Sequence, residues 1–167
     1  MLSKKAQLWM TDFIIGFLIL SLGITFFVKF AYDTMSEDKF LAVQKEAGMV
    51  SDFLLGEGVP SNWTNETLVR IGLCTKNQLN KTKVLNFYNL DYNDTWTYLS
   101  TNHDYFLFFQ KNNSVINISR CGYGNPEVSY DNCTIDLSLL EYENLVKINR
   151  LVTFNKTIIE LVLYLWD

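Results

Sequence analysis

The sequence predicts an α+β protein, with a long N-terminal transmembrane helix whose upper half packs against a small antiparallel β-sheet domain. Three observations lead there. Residues 13–28 form a strongly apolar run, and a helical pattern continues from it without a Pro or turn cluster as far as Leu55. The remainder then switches to short alternating stretches separated by Asn-rich turns, the pattern of antiparallel strands.

The run FIIGFLILSLGITFFV holds twelve strongly apolar residues in sixteen. At about −0.3 to −0.6 kcal/mol each they favour membrane insertion by about −4 to −7 kcal/mol. Asp12 opposes this by about 2.5 to 3.5 kcal/mol at the bilayer centre, and by less near its edge, so insertion wins. From Leu8 to Val28 the helix reaches roughly 30 Å, enough to cross a bilayer. Lys4 and Lys5 place the short N-terminal side in the cytoplasm and the body of the chain outside.

Charge follows the same division. Residues 1–32 carry a net +2 and the remainder a net −6. An acidic ectodomain repels phosphate backbones, so nucleic acid is not an expected partner. Roughly 135 residues beyond the apolar segment suffice for one small domain with a modest core.

Beyond the membrane, Phe40, Val43, Ala47, Val50 and Leu54 recur at alternating spacings of three and four, which aligns them on one helix face. Gly56, Gly58 and Pro60 stop the helix, which from Gln7 to Leu55 would be roughly 70 Å long. Thr67 to Cys74 reads as a short strand, and Asn80 as the N-cap of a helical turn through Phe87 and Leu90. The stretch YNDTWTYLSTN fits helix or loop. Asp104–Gln110 and Ser114–Arg120 form an expected hairpin about Lys111-Asn112-Asn113. Leu145–Phe154 and Thr157–Trp166 form another, turning at Asn155-Lys156. In the last strand Ile159, Leu161, Leu163 and Leu165 share one face, and Ile158, Glu160, Val162, Tyr164 and Trp166 the other.

Eight Asn-x-Ser/Thr sequons begin at Asn62, Asn65, Asn80, Asn93, Asn112, Asn117, Asn132 and Asn155. The composition yields about 2 by chance. None lies before residue 62, which suits a glycosylated, exported domain. Individually each also suits a turn, where Asn is common. Cys74, Cys121 and Cys133 fit an oxidising compartment. Three pairings are possible and one cysteine must remain over. Cys121–Cys133 is the preferred pair, because it closes the short, turn-rich loop GYGNPEVSYDN, a closure worth on the order of 3 kcal/mol.

The N-terminal junction reads Lys4-Lys5-Ala6-Gln7, directly before the apolar run. A secretory signal peptide carries its small-residue cleavage site after the apolar stretch. Here the small residue comes first, so cleavage after Ala6 would leave the helix on the mature protein. A plain signal-anchor oriented by its lysines is the simpler reading of the same residues. The arrangement resembles the class III signal peptide of type IV prepilins in its archaeal form. The long helix, greasy all round and then striped, is similar to the shared pilin helix. The closing RLVTFNKTIIELVLYLWD, preceded by VRIGLC and a Tyr-Phe-rich strand, looks more loosely like archaeal pilin-like proteins.

That resemblance implies residues 1–6 as leader, 7–32 as transmembrane and polymerisation segment, 33–56 as the amphipathic half of the helix, and 57–167 as the extracellular domain. It implies a minor pilin or pseudopilin of a type IV filament or secretion-like assembly at an archaeal cell surface. A prepilin peptidase, other pilin subunits, the membrane assembly platform and membrane lipid would be its partners. In pilins a carboxylate at the fifth mature residue pairs with the new N-terminal amine of a neighbouring subunit. Cleavage behind Ala6 makes Asp12 the sixth, one residue out of step. The alternative is a non-polymerising, single-pass anchored adhesion or binding module.

No enzymatic activity, cofactor or metal is expected. His103 beside Asp104 has no Ser or Cys nucleophile in a recognisable context. The acidic residues lack calcium-loop spacing, and Gly122 and Gly124 fall in the loop between Cys121 and Cys133 rather than in a phosphate-binding turn.

Overall fold

A computed structural model describes residues 4–138 and 140–167; of residues 4–8, 33, 36, 37 and 131 it describes the backbone alone. The chain divides into two compact units, 1–40 and 41–167. One helix, α1 (Lys4–Leu55), supplies nearly all of the first unit and opens the second. The rest comprises β1 (Cys74–Thr75), β2 (Gln78–Leu79), α2 (Lys81–Tyr88), α3 (Tyr92–Leu99), β3 (Asp104–Lys111), β4 (Ser114–Val115), β5 (Tyr123–Gly124), β6 (Leu145–Phe154) and β7 (Thr157–Trp166). The α+β class is as expected. α1 contains the whole of the expected Gln7–Leu55 helix.

The sheet runs β1-β2-β6-β7-β3-β4, with β5 on β3. It is mixed rather than purely antiparallel, because β2 meets β6 in parallel at Gln78 and Thr153. The C-terminal hairpin matches expectation, with Phe154 opposite Thr157 and positive φ at Asn155 (49°) and Lys156 (64°). Asn112 and Asn113 make the same kind of turn, at 50° and 62°. These are type I′ conformations, which Asn tolerates and which match the twist of the strands they join.

In the second unit, Val43, Ala47, Val50 and Leu54 of α1 are buried in one cluster with Tyr105, Leu107, Phe109, Leu161, Leu163 and Leu165 of the sheet. Phe40, the fifth member of the expected stripe, is 44% exposed, so the buried stripe begins at Val43. The opposite sheet face has a smaller core of its own. Phe106, Phe108, Val162 and Trp166 lie there under Val128 and Leu140 from the irregular chain between β5 and β6. Both faces of β3 and β7 are therefore covered, which explains their near-continuous apolar sequence.

Two strands, Thr67–Cys74 and Ser114–Arg120, are shorter than expected. Residues 67–73 form no strand; Arg70 makes an isolated bridge to Val59 and only Cys74–Thr75 is extended in a ladder. Leu68, Ile71 and Leu73 are buried by docking onto the end of α1. Leu73 N–H donates to Leu54 O at 2.8 Å and Cys74 N–H to Gly56 O at 3.0 Å, supplying partners to carbonyls at the helix terminus. Trp63 Nε1–H donates to Gly72 O at 2.8 Å. A Cβ on Gly72 would lie 2.1 Å from Gly58 N, so only glycine fits. The second shortened strand, expected over Ser114–Arg120, stops at Val115.

Asn80 caps α2 as expected, its Oδ1 accepting from Thr82 N–H at 2.9 Å and Lys83 N–H at 3.4 Å. The undecided stretch from Tyr92 is helical. Asp91 caps its start and Ser100 ends it in the left-handed region at φ 54°. A tyrosine-rich layer joins these helices to the sheet: Tyr92 OH donates to Asp104 Oδ1 at 2.7 Å and Tyr123 OH to Leu90 O at 2.7 Å.

Candidate functional site

The first unit carries its chemistry on the helix surface. Trp9–Tyr32 is long and apolar enough to cross a membrane. Every residue from Trp9 to Phe30 is exposed, with Trp9 at 82% and Phe13 at 74%. An apolar surface of this extent needs lipid or protein against it. Asp12 lies on the same exposed helix. Lys4, Lys5, Ala6 and Gln7 begin α1, and their side chains lie outside the described residues.

In the second unit Cys121 and Cys133 are joined, with Cα atoms 5.0 Å apart. Their loop contains Val128 of the smaller core, so the bridge fastens part of the cover over that sheet face. Cys74 is free and 2% exposed. Burial pushes its thiol up to about 11 against a smaller downward pull from the Lys83 charge, so it is protonated at neutral pH.

The eight sequons occupy different settings. Asn62, Asn65, Asn93, Asn112, Asn117, Asn132 and Asn155 are exposed. Asn80 is half-buried, its Oδ1 spent on the cap and its Nδ2 donating to Thr75 Oγ1 at 3.1 Å. Asn112 and Asn155 occupy hairpin turns at one end of the sheet, since Gln110 of β3 faces Glu160 of β7.

Two polar constellations join distant parts of the chain. Glu46 of α1 accepts from Thr101 Oγ1 and from Asn102 N–H at 3.1 Å, and its Oε1 lies 2.9 Å from His103 Nδ1. Burial raises the Glu46 pKa, but the bonds from Thr101, His103 and Asn102 outweigh it and hold the carboxyl below its ordinary value. His103, in the irregular chain just before β3, is thus a partner of the helix. Lys83 is 5% exposed and directs Nζ at Glu57 O and Cys74 O, each at 2.7 Å. Burial lowers its pKa, partly countered by the charge of Glu57. Neither constellation was legible in sequence, because Glu46 and His103 or Glu57 and Lys83 meet only through tertiary packing.

A shallow groove of about 560 Å³ lies beside the disulfide, lined by Phe108, Tyr164, Lys147, Asn113, Asn132 and Thr134 among others. A smaller one of about 270 Å³ lies near Leu55, Cys74, Leu151 and Ile158. Among the described residues no group of three or more His, Cys, Asp or Glu side chains is placed to hold a metal ion. No protein family, curated protein or solved structure matches this chain.

Proposed function

We propose that this chain is a structural subunit of a surface filament or secretion-like assembly of the type IV pilin kind, held in the membrane before assembly by α1. The observation that carries the reading is the uncovered apolar stretch Trp9–Tyr32, running in one unbroken helix into the stripe Val43–Leu54 that cores a disulfide-bearing domain. The Lys4-Lys5-Ala6-Gln7 junction supports it, because processing there spares the helix. In this reading the N-terminus begins in the cytoplasm and residues 41–167 lie outside, where exposed sequons accept glycans. A prepilin peptidase removes residues 1–6. Other pilin subunits pack on the exposed apolar helix, and the membrane assembly platform inserts the chain among them. Asp12 neutralises the freed amine of a neighbouring subunit, since the two charges offset one another in a dry surrounding that penalises either alone. The domain acts by structure and carries out no catalysis.

The test is the mature N-terminus of the full chain in its natural host, read by peptide mass spectrometry. The expected result is Gln7. An intact Met1, or cleavage beyond Val28, removes the pilin reading. A processed chain that enters no filament would favour the anchored adhesion module.

A further inference from the structure

β6 is a long strand with one bare side. It pairs with β7 along its whole length, Leu145 through Phe154. Among the described residues, its other side meets only β2, at Thr153. Phe154 and Thr157 flank a two-residue turn, so they exchange both main-chain hydrogen bonds. By alternation the N–H and C=O of Val152, Arg150, Ile148 and Val146 point to β7. Those of Thr153, Leu151, Asn149, Lys147 and Leu145 point outward. β2 takes Thr153, as this parity requires, and leaves Leu145–Leu151 open, roughly 23 Å of edge. Lys147, Asn149 and Leu151 are exposed there, Leu151 at 70%. Long uncovered edges are templates for a further strand.

We infer that the outer edge of β6 is a self-association surface, pairing antiparallel with β6 of a second copy about a two-fold axis at Ile148. The choice of occupant follows from register. The open stretch Leu145–Leu151 is centred on Ile148, so this pairing sets Leu145 opposite Leu151 of the second copy and Lys147 opposite Asn149. Outward-pointing groups then meet outward-pointing groups throughout, giving about eight main-chain hydrogen bonds. Sliding two residues one way opposes Lys147 to Lys147, a like-charge pair. Sliding two residues the other way drives Leu145 onto Thr153, where β2 already sits.

Charge favours the same register. Glu160 accepts from Gln110 Nε2 at 2.6 Å and from Asn149 Nδ2 at 3.4 Å, which puts its carboxylate near the position that Lys147 of the second copy faces. In the single chain the Lys147 ammonium rests 5.3 Å from the centre of the Tyr164 ring and makes no ion pair with Glu160. At the far end of the sheet, β4 and β5 cover β3 at Gln110–Lys111 and Phe106–Leu107. A second copy therefore has β6 as its long open edge, and edge-to-edge pairing closes as a dimer instead of growing into a fibre. The pairing is independent of filament assembly. A strand pair of this size is below a standard interface, so the dimer is weak and its population rises with protein concentration.

Lys147→Cys and Asn149→Cys, prepared separately as full-length protein in detergent micelles and then mixed under mild oxidation, test the register. Both positions are exposed, and the native Cys74 is buried. The mixture should form disulfide-linked dimers about tenfold faster than either variant alone, because only the 147–149 pairing brings Cα atoms within bridging distance. Adding Leu151→Lys to both variants should abolish that excess. Equal cross-linking in mixed and single samples, or an excess that survives Leu151→Lys, overturns the proposal; either result assigns association to the apolar helix. A correctly processed N-terminus is unaffected by every one of these outcomes.

Discussion

Glu46 Oε1 and His103 Nδ1 lie 2.9 Å apart, fastening α1 to the chain that enters β3. Thr101 and Asn102 complete the grip on the same oxygen. The Glu46 carboxyl is held below its ordinary value in the folded state. Its contribution is therefore complete above the unfolded carboxylate value, about 4.3, and is lost as pH falls through the folded value. Denaturant titrations should show stability falling over that acidic range. Glu46→Gln should cost about 1–2 kcal/mol at neutral pH and flatten the acid limb.

Lys83 should be intolerant of apolar replacement despite its burial. Lys83→Met matches the stem in length but leaves Glu57 O and Cys74 O without their shared donor. A buried and a part-buried acceptor losing a charged donor should cost about 2–3 kcal/mol, read from urea midpoints at unchanged slope.

Cys74 should resist thiol reagents in the native protein. Its side chain is buried and its thiol is pushed up to about 11. Native labelling should proceed about a hundredfold more slowly than labelling in denaturant, with one thiol titrated after unfolding. Fast native labelling, or peptide maps linking Cys74 to Cys121 or Cys133, would contradict the structure.

Among the sequons, Asn80 should be the least modified and Asn112 and Asn155 among the most. A glycan on Asn80 Nδ2 would displace its bond to Thr75 and crowd the cap of α2. Asn112 and Asn155 sit exposed in turns, each two residues before the Ser114 or Thr157 of its sequon. Glycopeptide occupancies from the natural host check this, and unmodified masses at all eight would remove glycosylation from the functional reading.

The parts legible in sequence were those governed by local rules. Asn155-Lys156 between two alternating runs encodes the β6–β7 hairpin, and Asn80 encodes a cap, within a few residues of chain. Residues 67–73 misled because a short apolar-rich stretch reads as a strand, while the burial of Leu68, Ile71 and Leu73 arises from the end of α1 and from Trp63. The smaller core was hidden for a different reason. Val128 and Leu140, which cover Phe106 and Trp166, lie in irregular chain with no period to read. Glu46 could be placed on the helix but not paired, since Thr101–His103 reach it only after the sheet has formed.

The position of β7 bears on how a nascent chain acquires its fold. β7 lies between β6 and β3 and is made after every other described strand. Until it arrives, β3 has only the two-residue flanks of β4 and β5, and β6 has a single bridge to β2. Vectorial synthesis thus yields no partial sheet worth the entropy of ordering it. The apolar segment emerges before the domain and can engage a membrane while the domain behind it is still unfolded, and the sheet closes only once β7 is made.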